Sequence, residues 1–202
     1  MNIYLVRHGE TDENIKKSFY GDMDSVLTEK GVLQCKRLKI FFQDINISKA
    51  YVSEKKRTHD TLELILENEK YEKINVVEDS RLNERNFGEF EGLDYNSICR
   101  KYPLESKVWQ NDWINFIPPK GESYNQMYNR VVKIFKEIIK SNDENVIVVT
   151  HSGVIRSIYC YIMNNNMDLF WKFACHNGDV AVIKYEYENL FIEGINSNSI
   201  LK

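Results

Sequence analysis

Ile3-Tyr4-Leu5-Val6-Arg7-His8-Gly9-Glu10-Thr11 sets four apolar residues directly before an arginine and a histidine. A short apolar run bounded by polar residues reads as a buried strand. The same arrangement returns late in the chain, where Val146-Ile147-Val148-Val149 leads into Thr150-His151-Ser152-Gly153. Working outward from these two runs, Ala50 to Ser53 and Ile74 to Val77 are further predicted strands. Between them lie predicted helices: one capped by Thr28 and running to about Phe42, with Cys35, Leu38 and Phe42 on one face, and one from Thr58 to Leu66. Ser123-Tyr124-Asn125-Gln126 is a capping box for the longest helix, in which Met127, Val131, Ile134 and Ile138 recur at helical spacing to about Lys140. A helix from about Val154 to Met163 follows, and Val180 to Tyr187 with Leu190 to Ile195 reads as a closing hairpin.

Strands alternating with helices argue for an α/β fold with a mostly parallel sheet covered on both faces. The 202 residues suit one domain. Positions 94–121 differ: they hold Trp109, Trp113 and all three prolines, with weak periodicity, and read as a small insertion over one edge of the sheet.

The formal net charge is −3, with no basic tail and no long block of like charge. Nucleic acid is therefore not an expected partner, whereas a small anionic metabolite held by a local arginine cluster is compatible with an acidic chain. Cys35, Cys99, Cys160 and Cys175 form no C-x-x-C pair and read as buried small hydrophobes in a reducing compartment. No signal peptide and no stretch of membrane-spanning length is apparent. The expectation is a cytoplasmic protein without a membrane partner; the oligomeric state is left open.

In open parallel sheets, ligands collect beyond the carboxyl ends of the strands. Arg7, His8, Arg57, Glu84 and His151 all fall at such exits. Alone, each has a bland reading: Arg57 as a solvated charge beside Lys55 and Lys56, Glu84 as a surface partner of Arg85, His151 as part of a helix cap. Together they suit phosphoryl transfer. Guanidinium groups match phosphate oxygens bidentately, a neutral imidazole is a competent nucleophile, and a departing alkoxide needs a proton from an acid. His59 reads as a surface residue and His176 as a candidate for the pocket mouth. Phosphate-loop, dinucleotide, zincin and cysteine-phosphatase motifs are absent. Asp22-Met23-Asp24-Ser25-Val26 mimics the motif of aspartate-nucleophile, magnesium-dependent phosphatases, but Lys17-Ser18-Phe19-Tyr20-Gly21 before it is not a buried strand.

Leu5-Val6-Arg7-His8-Gly9-Glu10-Thr11 with Asn14, Ser53-Glu54-Lys55-Lys56-Arg57-Thr58, Leu82-Asn83-Glu84-Arg85, Gly121-Glu122-Ser123 and Val148-Val149-Thr150-His151-Ser152-Gly153 together resemble the histidine phosphatase (phosphoglycerate mutase-like) superfamily. The resemblance implies a three-layer α/β/α sandwich. It implies His8 as the phosphohistidine, Arg7, Arg57 and His151 as phosphoryl ligands, and Glu84 as proton donor. Asn14, Tyr20, Gly21 and Ser152 are implied contacts to the substrate, and neither metal nor cofactor is implied. Cys35 and Thr58 stand where that family usually has alanine. The segment Trp109-Gln110-Asn111-Asp112-Trp113, Ile117 to Glu122 and Phe170-Trp171-Lys172-Phe173 are similar to α-ribazole phosphatases of cobalamin biosynthesis.

Three functions follow as expectations. The first is hydrolysis of a phosphomonoester such as α-ribazole 5′-phosphate, with specificity around Trp109 and Trp113. The second is a phosphoglycerate mutase or a broad sugar-phosphate phosphatase. Mutases of this kind usually carry a longer insertion and tail to exclude water. The third, a phospho-ligand binding module, predicts loss of a catalytic residue, and all five are present.

Overall fold

The computed structural model describes residues 1–141 and 143–201. Four strands run parallel, β1 (Asn2–Arg7), β2 (Lys49–Val52), β3 (Asn75–Glu78) and β4 (Asn145–Thr150). Two more, β5 (Val180–Glu186) and β6 (Asn189–Asn196), close the sheet as an antiparallel hairpin beside β1. The order is β3-β2-β4-β1-β5-β6. The α/β class, the parallel sheet and the hairpin are as the alternation predicts.

Strand periodicity builds the three layers. Ile3, Leu5, Val146 and Val148 point to one face and join Met127, Val131, Ile134 and Ile158 of helices α6 (Tyr124–Lys140) and α7 (Ser152–Ile162). Tyr4, Val6, Ile147 and Val149 point to the other face, against Leu38 and Phe42 of α2 (Glu29–Phe42) and Leu62 and Ile65 of α3 (Lys56–Ile65). Successive side chains on a strand face opposite ways, so both faces of a central strand must be apolar when both are covered. At the sheet edge β3 is largely exposed.

Several boundaries differ from the sequence reading. Helix α3 begins at Lys56, so Arg57 lies in its first turn rather than in the loop before it. Helix α7 begins at Ser152, directly after its N-cap His151. A short helix α1 (Asp12–Lys16) opens with a Thr11/Asn14 capping box; five residues carry no periodic signal. Within positions 94–121 there are two helices, α4 (Tyr95–Lys101) and α5 (Pro103–Asn111). Their periodicity is weak because α4 buries Ile98, and α5 buries Ser106 and Trp109, and little else. Ile98 and Trp109 gather with Phe87, Phe90 and Phe116 in a third cluster of their own.

Candidate active site

Strand register brings the predicted residues together. Arg7 pairs with Thr150 across β1 and β4, and Val52 pairs with Val149 across β2 and β4. The next residue of each strand, His8, His151 and Ser53, therefore leaves the sheet beside its neighbour, at the ~4.8 Å spacing of paired strands. The His8 and His151 rings end with centroids 5.2 Å apart. One pocket is lined by Arg7, His8, Asn14, Tyr20, Arg57, Glu84, His151 and Ser152.

His8 is 2 % exposed, and its Nδ1 donates to the Gly9 carbonyl at 2.8 Å. A carbonyl only accepts, so the proton sits on Nδ1 and the lone pair on Nε2. Burial, then the charges of Arg57 and Arg7, hold this imidazole well below its ordinary pKa, leaving it neutral.

His151 carries the opposite tautomer. Its Nε2 lies 2.8 Å from Ser53 Oγ, which lies 2.8 Å from Thr58 Oγ1. Thr58 spends its hydrogen on a carbonyl, Lys55 at 2.7 Å or Ser53 at 3.1 Å. Ser53 then donates to Thr58 and accepts from His151, so the His151 proton is on Nε2. Its Nδ1 is buried without a partner. Burial and Arg57 lower this imidazole too. The hydroxyl of Thr58 thus completes a relay behind the second histidine.

The two arginines are anchored from behind. Arg7 donates from Nη1 to the Cys175 carbonyl at 2.6 Å. Arg57, fully buried, donates to the carbonyls of Met23 and Gly21, both at 2.8 Å, and stacks 4.8 Å from the Tyr20 ring centre. Gly21 acts through its backbone: its carbonyl holds Arg57, and a Cβ there would lie 1.8 Å from the Arg85 carbonyl oxygen. Arg7 Nε and Arg57 Nε join His151 Nδ1 as buried donors or acceptors without a partner.

Glu84 projects from the loop after β3 onto the N-terminus of α7. One carboxylate oxygen accepts from the Gly153 N–H at 3.0 Å and the Ser152 hydroxyl at 3.3 Å; the other accepts from the Arg85 N–H at 2.9 Å. The fit leaves no room for a side chain at residue 153, whose Cβ would stand 2.2 Å from Glu84 Oε1.

A family model described as histidine phosphatase superfamily, branch 1, matches residues 3–198. The chain belongs to the histidine phosphatase superfamily. Phosphoserine phosphatase 1 of Hydrogenobacter thermophilus is 29% identical over 197 residues, covering 97% of this chain and 92% of the relative. The adenosylcobalamin/α-ribazole phosphatase of Salmonella typhimurium is 28% identical over 179 residues, covering 88% and 87%. The solved α-ribazole phosphatase from Shigella flexneri superposes with a TM-score of 0.91 at 25% identity, over 98% of this chain and 97% of that one.

The pocket of this histidine phosphatase extends outward between two aromatic walls. Phe19 and Phe87 form one, with Trp109 5.3 Å behind Phe19; Tyr124, Phe170 and Trp171 form the other, with Trp113 5.3 Å behind Tyr124. Trp109 and Trp113, around which the sequence reading placed specificity, are not in the pocket lining themselves but pack against rings that are. His176 is exposed and lies outside the pocket lining. His59, read from sequence as a surface residue, is half-buried, with Nε2 2.8 Å from the Glu78 carboxylate. Asp22 pairs with Lys55 in a loop and is not among the residues lining this pocket. Cys35, Cys160 and Cys175 are buried, their thiols pushed up to about 11, but Cys99 is only half-buried.

Three supporting residues of the histidine phosphatase had no sequence signal. Arg85 is fully buried, 4.1 Å over the Tyr124 ring, and donates to the carbonyls of Glu122 and Phe116. It is not a surface partner of Glu84. Arg130 donates to the carbonyls of Arg81, Asn83 and Glu84 while paired to Glu122 at 2.7 Å, and so clamps the Glu84 loop. Asn177 reaches Asn14 from the loop before β5. Each acts on backbone or side chains distant in the chain, which a local pattern does not encode.

Proposed function

We propose that this chain hydrolyses phosphate monoesters through a phosphohistidine at His8, with α-ribazole 5′-phosphate as its substrate, in the cytoplasm. The observation that carries the reading is that three residues lining the pocket beside the neutral His8 each hold a buried, partnerless nitrogen, Arg7 Nε, Arg57 Nε and His151 Nδ1. Buried polar atoms left unsatisfied call for a ligand; the two guanidinium N–H groups suit an anion's oxygens, and His151 Nδ1 does so once protonated.

In the proposed reaction, Arg7, Arg57 and Asn14 bind the phosphoryl oxygens. An entering dianion offsets the positive field on His151, which takes a proton on Nδ1 and becomes a further donor. The His8 Nε2 lone pair attacks phosphorus, and the P–O ester bond breaks. The departing oxygen takes a proton from Glu84 in its acid form. Water then attacks the phosphohistidine, gives a proton to Glu84, and releases phosphate with His8 restored. The cations of the pocket supply the charge stabilisation that phosphoryl transfer requires, so no step calls on a metal or cofactor.

The aromatic outer walls support a flat, largely apolar leaving group such as a benzimidazole nucleoside, and the α-ribazole phosphatases among the relatives point the same way. Four free thiols are in keeping with the cytoplasm, and no helix among the described residues is long and apolar enough to cross a membrane.

Rapid quench with labelled substrate tests the chemistry. Label is expected on an acid-labile histidine, in excess EDTA, and absent in His8→Ala. Label on Asp22, or activity that needs added Mg²⁺, would overturn it. A panel of α-ribazole 5′-phosphate, phosphoserine, phosphoglycerates and sugar phosphates tests the substrate. A mutase would instead return an isomerised phosphoglycerate.

A further inference from the structure

One cation of the pocket plays no part in the chemistry above. Arg156 lines the outer pocket together with Phe170 and Trp171. It lies on α7 four residues after Ser152, so the two share a helix face. Helical side chains lean toward the N-terminus, and the N-terminus of α7 is where His151, Ser152 and Glu84 meet. Arg156 is thus directed back toward the pocket from one turn beyond the proposed reacting groups.

Its guanidinium is pinned at one nitrogen and on one side. Nε donates to the Phe173 carbonyl at 3.0 Å, and the guanidinium carbon lies 5.0 Å from the Trp171 ring centre and 5.9 Å from that of Phe170. Among the described residues no carbonyl or carboxylate engages Nη1 or Nη2. The contrast with Arg57, which spends both terminal nitrogens on backbone carbonyls, is direct. A guanidinium fixed at Nε keeps a planar fork of N–H donors suited to two oxygen acceptors. Trp171 is 54% exposed, so the platform stands at the mouth, where a leaving group rather than the phosphoryl group would lie.

We propose that Arg156, held against Trp171, reads the leaving group by donating through Nη1 and Nη2 to a pair of oxygens carried by the alcohol. This rests on the phosphomonoesterase reading and names a specificity residue for it. Two sources share that chemistry: the vicinal hydroxyls of a ribose, and the carboxylate of a phosphoserine-type ester. The first is the one expected if α-ribazole 5′-phosphate is the substrate.

The test compares Arg156→Met, which keeps length without the fork, and Arg156→Lys, which keeps charge without it, on α-ribazole 5′-phosphate, phosphoserine and phenyl phosphate. Phenyl phosphate has no such oxygen pair and reports the phosphoryl site and the fold. In both variants kcat/KM for the preferred substrate is expected to fall about tenfold or more, mainly through KM, with phenyl phosphate changed less than about threefold. Equal losses on phenyl phosphate, or no loss on any ester, would overturn the proposal. A wild-type enzyme that prefers phosphoserine, with the loss falling there, would uphold Arg156 while overturning the α-ribazole reading.

Discussion

Asn177 donates from Nδ2 to Asn14 Oδ1 at 2.9 Å, and the same amide reaches the His8 carbonyl at 3.1 Å. Asn14 Oδ1 also accepts from the Thr11 N–H and hydroxyl, each at 3.1 Å. With its oxygen so occupied, Asn14 has its Nδ2 group to offer the pocket. A loop beside the closing hairpin therefore orients an amide that belongs to the first strand exit.

Asn177→Asp replaces that donor with acceptors facing the Asn14 oxygen and a backbone carbonyl. Asn14 is expected to turn its amide toward the new carboxylate and away from substrate. A hydrogen bond to a charged group is worth about 1.5–3 kcal/mol, so kcat/KM should fall about tenfold to a hundredfold. Competitive inhibition by inorganic phosphate should weaken in parallel. Unchanged phosphate inhibition would show that Asn177 does not orient Asn14.

Gly153→Ala places a Cβ 2.2 Å from Glu84 Oε1 and must displace the carboxylate. Turnover of alkyl phosphates, which need a proton at the leaving oxygen, is expected to suffer far more than turnover of activated aryl phosphates. Glu84→Gln should show the same dependence on the leaving group. Equal slowing of both ester types in steady-state assays would count against Glu84 as the acid.

Thr58→Ala deletes the last hydroxyl of the relay behind His151. Loss of one buried hydrogen bond should cost about 1 kcal/mol of stability, readable by urea denaturation. Ser53 can then turn its hydrogen toward His151, loosening the tautomer. A several-fold fall in kcat/KM is expected, with the Thr58→Ser enzyme restored; failure of serine to restore it would assign the effect to packing.

His8 and His151 both titrate well below the ordinary histidine value of 6.5 in the folded chain. The unfolded chain takes up their protons near 6.5 while the folded chain does not. Stability from these two residues is therefore complete above about pH 6.5 and is lost as pH falls toward their folded values. The slope is up to about 1.4 kcal/mol per pH unit for each histidine. Denaturation series between pH 7.5 and 5 should show it, and His8→Asn or His151→Asn should flatten it. Identical slopes in these variants and the wild type would refute the assignment.

The parts of the fold legible in sequence were those with a simple period. Four apolar residues before Arg7-His8 and four before Thr150-His151 read correctly as buried strands because both sheet faces demand apolar side chains. Helix α6 was legible from its capping box and its apolar stripe. Helices α4 and α5 were not, since a helix that buries one or two side chains leaves almost no periodic trace. The meeting of His8, His151, Arg7, Arg57 and Glu84 in one pocket was legible through a rule about strand ends rather than through any single residue.

By itself, the sequence determined which side chains leave the carboxyl edge of the sheet, because strand period and strand–helix alternation are local properties. Only the tertiary structure decided the state in which they wait there. The opposite tautomers of the two histidines depend on Gly9 for one, and on Ser53 and Thr58 for the other. The bearing of Glu84 depends on Arg130 and on bare backbone at Gly153. The outer pocket is lined by Phe19, Phe87, Trp171 and Arg156, with the two tryptophans of positions 94–121 packed against lining rings. These are hydrogen bonds and packing contacts between residues far apart in the chain, and their partners are set by three-dimensional proximity, which no local pattern carries.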